Sequence, residues 1–338
     1  MKSCFIQLFN FFNLIKSKIS SFIIWQLSYF RNSFIGFLLT LFFILLLLPI
    51  KNAEASDVLI VLEANLRPYV EALNGVKNVV GDKAMVVSIQ DLLEEQRQKE
   101  LNIQEIIESY HPRIIVTIGS QCLLFLMNKT DHIPIVFTMV LNPWSFPFSR
   151  PLITGISMNV LPKLYWQVFS LIKPKIHTIG VVYDPSKTGF LVKIAKKLVK
   201  QYHQKLIAIP VKTPVEAIRA IQKIVPNIDA FWMTPDTTVY RQEALDFLIY
   251  SSICYHFVLA GLSIKDVRSG SLFAWSFNSY KLGEQAGRLV NKILNGGDFP
   301  HKKFFWAGEL SLSINLKIAK KIGIEIDKTL INKAQVIK

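Results

Sequence analysis

The stretch RIIVTIGSQCLLFLMNKTDHIPIVFT, residues 113–138, decides the fold. A β-branched run ends at Gly119-Ser120, an apolar segment over 120–128 follows, and a second β-branched run fills 133–138. Neither run alternates with polar residues, so each strand is buried on both faces, as in a parallel sheet covered by helices. Parallel neighbours cannot be joined by a tight turn, and the segment between them supplies the helical crossover.

Reading outward, the same alternation extends in both directions. On the N-terminal side, 58–62 and 84–88 read as strands, 69–81 and 94–110 as helices, the second closed by Pro112. On the C-terminal side, 142–154 interrupts the rhythm with Pro143, Pro147 and Pro151. Then it restarts, with strands at 178–182, 206–210, 228–233 and 257–260 and helices at 164–172, 187–202, 214–225 and 241–253. Two βα sets of similar length divided by a proline-rich joint indicate an α/β protein of two Rossmann-like lobes with parallel sheets. The last third holds a strand at 271–275, a helix at 280–295 stopped by Gly296-Gly297, a strand at 310–315 and a short helix. That is too little for a third domain. The expected division is 56–155 with 276–305 for the first lobe, and 156–275 with 306–338 for the second.

The 338 residues, 51% apolar, suffice for two cores. Much of the hydrophobicity sits at the start, where 34–50 is an uncharged run of 17 residues preceded by Lys2, Lys16, Lys18 and Arg31. Pro49 and Ala53-Glu54-Ala55 follow, and a basic stretch, an apolar core and a small-x-small site make up a secretory signal cleaved after Ala55. The alternative is an uncleaved anchor, for which the run is only just long enough. No Cys directly follows the run, so a lipid-anchored form is not expected. Either way the protein is placed outside the cytoplasm, in the periplasm or its equivalent, free or held at the inner membrane by 34–50.

Of 39 basic and 24 acidic residues, the first 55 positions hold five and one, leaving 34 against 23, a net +11. The lysines are spread along helices (Lys193, Lys196, Lys197, Lys200; Lys317, Lys320, Lys321) without arginine–aromatic interleaving, which reads as solvated faces near an anionic bilayer and argues against nucleic acid. Cys122 and Cys254 lie in apolar helical runs and are expected as buried thiols.

Catalytic signatures are missing from the sequence. It contains no phosphate-binding Gly-x-x-x-x-Gly-Lys loop, no Gly-x-Gly-x-x-Gly, no His-Glu-x-x-His and no Gly-x-Ser-x-Gly elbow. The six histidines are dispersed, with His111 and His177 beside expected strands in structural roles. No metal, cofactor or catalytic residue is expected.

Ligands of open α/β sheets bind beyond the carboxyl ends of strands. Those ends present Asn65, Ser120, Asn142, Tyr183, Asp236 and Ser263, three from each lobe, and these are the candidate ligand-binding residues. Gly119-Ser120 opens a helix whose free N–H groups suit an anion, or Ser120 is only a helix cap. Asp236 is either a counter-charge for a ligand amine or an ordinary turn residue. Asn142-Pro143 either touches ligand or shapes the hinge. Trp144, Trp232 and Trp275 flank the expected cleft as packing or as stacking plates.

Several segments together resemble a family. Ile135-Val136-Phe137 leading to Asn142-Pro143, with Ile153-Thr154-Gly155-Ile156-Ser157, is similar to "PVVF…NP…NITGVS". Ile179 to Pro185 resembles "IGVLYNP", and Pro235 to Val239 resembles "PDPTV". The tail adds Leu282-Gly283-Glu284-Gln285-Ala286, Lys292 to Gly297, Ile314 to Ala319 and Leu330 to Ala334. In this order they resemble the ABC transporter substrate-binding family that includes aromatic-amino-acid binders of the type I periplasmic-binding fold. The resemblance implies two lobes joined by three crossovers, ligand enclosed by hinge closure, and delivery to a membrane permease driven by a cytoplasmic ATPase. Trp275-Ser276-Phe277-Asn278-Ser279 departs from a family loop that commonly carries an acidic residue.

The expected function is thus the extracytoplasmic binding component of an ABC import system, a monomer that holds a small organic solute, amino-acid-like compounds included. A sensor or adaptor of the same fold without transport is the alternative. An enzyme on this architecture would need a nucleophile, base or metal cluster that the strand ends do not offer.

Overall fold

The computed structural model describes residues 57–81, 84–90, 103–148, 151–301 and 303–337. The expected leader, 1–55, lies outside the described residues with its run 34–50, and so do 94–102 of the helix expected over 94–110. Among the described residues no helix is long and apolar enough to cross a membrane.

Six parallel strands form the first sheet: β1 (Val58–Leu62), β2 (Met85–Ser88), β3 (Ile114–Ile118), β4 (Ile135–Val140), β5 (Ile153–Ser157) and β12 (Phe304–Phe305). Their order is β12-β5-β4-β3-β1-β2. The second sheet has β7 (Thr178–Tyr183), β8 (Lys205–Pro210), β9 (Ala230–Trp232), β10 (Val258–Gly261), β11 (Phe273–Phe277), β13 (Leu310–Asn315) and β15 (Ala334–Ile337), ordered β15-β13-β11-β10-β9-β7-β8. Its first five strands in sequence are parallel, whereas β13 runs antiparallel to β11 and carries β15 parallel to itself. A small antiparallel pair, β6 (Ile172–Lys173) and β14 (Glu325–Ile326), completes the strands among the described residues. In each sheet the strands that come first in sequence follow the order 2-1-3-4-5, and ligands settle where such an order reverses.

The chain passes from first sheet to second after β5, returns after β11 and passes again after β12. The proline-rich joint is therefore not where the chain leaves the first sheet. It is a loop between β4 and β5, and β5 went unread as a strand because Thr154, Gly155 and Ser157 dilute its apolar pattern, although all five of its residues are buried.

Among the described residues the helices are α1 (Arg67–Val80), α2 (Ile103–Tyr110), α3 (Ser120–Leu126), α4 (Pro162–Phe169), α5 (Pro185–Gln201), α6 (Pro214–Ile224), α7 (Gln242–Cys254), α8 (Ile264–Ser269), α9 (Ser279–Leu294), α10 (Leu316–Lys321) and α11 (Lys328–Ile331). Four of the longer ones begin with Pro in the first turn, where its missing N–H costs no hydrogen bond. His111, His203 and His256 follow helix ends in the left-handed conformation, with φ of 45°, 53° and 57°, which His tolerates better than bulkier residues.

Glycine fixes one packing decision. A Cβ on Gly75 of α1 would strike the carbonyl oxygen of Tyr280, and one on Gly283 of α9 would strike that of Ala72. The two helices thus meet backbone to backbone, which ties residues late in the sequence to the first sheet. In the second core, Tyr165, Trp166 and Phe169 of α4 pack on Trp232 and Phe273, with ring centroids 5.2–6.0 Å apart. Each such pair contributes about 0.5–1.5 kcal/mol beyond simple burial.

Cys122 is buried as expected, but Cys254 is exposed. The buried stripe of α7 runs Ala244, Leu245, Leu248, Ser251, Ser252. That leaves Tyr250, 69% exposed, and Cys254 on the other side of the helix. An apolar run without periodicity gave no sign of which face would turn inward.

Candidate functional site

A cavity of about 280 Å³ lies between the sheets, beyond the carboxyl ends of β4, β9, β10 and β11. Leu141 and Met158 form its wall on the side of the first sheet. Tyr165, Leu191, Trp232 and Met233 form the opposite wall, with Tyr240 and Phe277 beside them. Its polar groups include those of Asn159, Asp236, Thr237, Tyr240 and Ser263, and among the described residues no Lys, Arg or His lines it.

Asp236, fully buried, organises one wall. Its Oδ2 accepts from the Asp184 backbone N–H at 2.7 Å and from Thr188 Oγ1 at 2.6 Å, and its Oδ1 accepts from the Thr238 N–H at 2.9 Å. The loops after β7 and β9 are thereby joined. Asp184 in turn accepts from the Ser186 N–H and hydroxyl at 2.9 and 2.7 Å and from Thr238 Oγ1 at 2.9 Å. Lys187 Nζ donates to Thr237 Oγ1 and Thr238 Oγ1 at 2.7 and 2.8 Å. Burial pushes the Asp184 carboxyl upward, but the hydrogen bonds from Ser186 and Thr238 and the Lys187 ammonium outweigh it and hold it below the usual carboxylate range.

Ser263 caps α8 in a reciprocal box: its Oγ accepts from the Asp266 N–H at 3.4 Å, and Asp266 Oδ2 accepts from the Ser263 N–H at 3.1 Å. Asp266, 2% exposed, also accepts from the Leu262 N–H at 2.8 Å and from the Tyr240 hydroxyl at 2.7 Å. One carboxylate therefore holds Leu262, Ser263 and Tyr240, all three on the cavity wall.

Asn142 bridges the two sides. It sits buried in the left-handed conformation, φ 52°, and its Nδ2 donates to the Pro235 carbonyl at 2.8 Å. Asn159 Nδ2 donates to Asn142 Oδ1 at 2.6 Å, and the Asn142 N–H donates to Asn159 Oδ1 at 2.8 Å. The amide contacts of Asn142 go to the crossover and to the loop that carries Asp236.

The structure brings Asp236 and Ser263 together on the cavity wall, with Asn142 one residue from Leu141. Asn65, Ser120 and Tyr183 do not line the cavity. Asn65 is exposed between β1 and α1. Ser120 opens α3, but the helix start already has a carboxylate: Glu63 Oε2 accepts the Gln121 N–H at 2.7 Å, and Gly119, at φ 114°, leaves room for the Glu63 side chain. Tyr183, half-buried at the end of β7, packs on the second core. Of the three tryptophans, Trp232 lines the cavity and Trp275 packs on the second core. Trp144 lies in a separate groove, its ring 4.6 Å from those of Phe190 and Trp306. Asn159 and Met158 were missed because they follow β5, the strand that polar residues concealed; Tyr165 lies on a helix, outside any search of strand ends.

Among the described residues no three His, Cys, Asp or Glu side chains lie close enough to hold a metal.

A family model described as ABC transporter substrate binding protein matches residues 71–338. Comparison with curated proteins found no match. Among solved structures, a substrate binding protein with adhesive properties from Clostridium difficile, ligand-free and open, is similar with a TM-score of 0.63 at 20% identity, over 83% of this chain and 98% of that one. A conserved domain protein from Vibrio cholerae gives 0.57 at 21% identity, over 84% of this chain and 100% of that one. An ABC domain from Streptococcus pneumonia, in complex with L-Trp, gives 0.57 at 16% identity, over 83% and 99%. At such identities the likeness is one of fold.

Proposed function

Since the chain belongs to the family of ABC transporter substrate binding proteins, we propose that it is the extracytoplasmic binding component of an import system and holds a small organic solute, amino-acid-like in size, in the cavity between its sheets. The observation that carries this reading is the cavity's position: it lies beyond the carboxyl ends of strands from both sheets and has walls from each. At about 280 Å³ it is near the lower end of small-molecule sites, roughly 300 Å³ upward.

Binding is reversible and involves no chemistry. The solute touches Leu141 and Met158 on one side and Trp232, Tyr240 and Ser263 on the other, so its presence favours the arrangement in which both sides are near. Asn159 and Ser263 offer hydrogen bonds, Asp236 positions the loop that closes the wall, and Asn142 links the two sides. The leader exports the chain, and a permease in the cytoplasmic membrane receives the solute from the monomeric protein.

The test is thermal denaturation of the purified chain across a library of amino acids, amines, short peptides and small organic acids. A dose-dependent rise in Tm for a narrow chemical class is expected, and the rise should be lost in Trp232→Ala or Ser263→Trp. No rise with any compound would contradict the reading.

A further inference from the structure

The second-sheet side of the cavity stores negative charge. Asp236 is fully buried and Asp266 is 2% exposed, and among the described residues neither has an ion-pair partner. Asp184, also buried, has the Lys187 ammonium nearby. Three buried carboxylates thus face one ammonium, and that ammonium is engaged by Thr237 and Thr238. Among the described residues no basic side chain lines the cavity to offset the rest.

The field reaches the lining groups. Burial first, then the Asp266 charge, pushes the Tyr165 phenol up; burial first, then the hydrogen bond to Asp266, does the same to Tyr240. Both rings line the cavity with Trp232 and Phe277, and aromatic faces attract cations. On the first-sheet side, the helix start that would suit an anion is filled by Glu63.

We infer that the solute is an organic cation, a protonated amine or quaternary ammonium on an apolar or aromatic body, and that a free carboxylate is selected against. This rests on the solute-binding reading above and narrows it. The cation lies against the aromatic wall with Asp236 and Asp266 behind it, while Leu141 and Met158 cover its apolar part. A carboxylate in the same place would meet two buried carboxylates that have hydrogen bonds but no ion-pair partner and, among the described residues, no lining cation.

The test uses the full chain and solutes matched in body and unlike in charge: tryptamine, L-tryptophan and indole-3-propionate, with tyramine and acetylcholine as further cations. Affinity is read by calorimetry and by tryptophan fluorescence. At least one of the cations should bind, and tryptamine should bind at least tenfold more tightly than L-tryptophan or indole-3-propionate. Met158→Lys and Thr237→Lys, which place a positive charge at partly exposed and exposed lining positions, should each weaken cation binding tenfold or more while the unliganded variants still unfold cooperatively. Equal or tighter binding of the zwitterion or anion, no binding of any cation, or unchanged affinity in both lysine variants would overturn the inference. Binding of a carboxylate would leave the solute-binding reading standing; silence across the wider library as well would remove both.

Discussion

The two sheets share a strand order and differ in what their strand ends do. At the first, Glu63 lies over the start of α3 and Asn65 is exposed, so the ends of β1 and β3 are closed by the protein itself. At the second, the loops after β7, β9 and β10 are held by Asp236, Asp184 and Asp266, and residues of the loops after β9 and β10 face the cavity. The same topology thus ends on one side in groups that the protein fills itself and on the other in groups that line the cavity, and we propose that the second side selects the solute. Strand order locates a binding region, and the side chains at the strand ends decide which half of it is used.

The largest effect should come from the first side's scaffold. Gly283→Val would drive a side chain into the Ala72 carbonyl, and a backbone neighbour cannot rotate away. A loss of at least about 3 kcal/mol in urea unfolding is expected. A loss under about 1 kcal/mol would show that α1 and α9 do not meet as described.

Asp236→Ala would orphan three buried donors, the Asp184 and Thr238 N–H groups and the Thr188 hydroxyl. About 2–3 kcal/mol should be lost, with solute affinity reduced beyond detection. If affinity survived, the second side would not be the selective one.

Asn142→Ala removes the donor to Pro235 and the acceptor for Asn159. About 1–2 kcal/mol should be lost, and small-angle scattering should report a larger radius of gyration without solute than the parent. An unchanged radius would show that this bridge does not hold the two sides together.

Glu63→Gln should change stability by less than about 1 kcal/mol, because the amide oxygen still accepts the Gln121 N–H. The Tyr69 phenol is held above its ordinary pKa by burial and then by the Glu63 charge, so its ultraviolet titration should move to lower pH in the variant. An unmoved titration would place Glu63 elsewhere.

The fold was legible because buried parallel strands leave unbroken β-branched runs: Val58–Leu62 and Ile114–Ile118 declare themselves. β5 did not, since Thr154 and Ser157 are buried polar residues paired after folding, Thr154 Oγ1 with the Lys303 carbonyl and Ser157 Oγ with Asn159. Sequence gives no sign of partners 149 positions away. The site was half legible for the same reason. Asp236 and Ser263 follow strands that read clearly, whereas Asn159 follows the one that does not. Asn65 and Ser120 also follow clear strands, but a neighbouring carboxylate fills that end, and no local pattern announces Glu63 in that place.

The central claim is tested most directly by a crystal structure of the chain with the tightest-binding solute of the library. Density for the solute should touch Met158 or Leu141 on one side and Trp232 and Tyr240 on the other. A solute seated in the groove of Trp144 and Phe190, or bound to one side alone, would contradict the account.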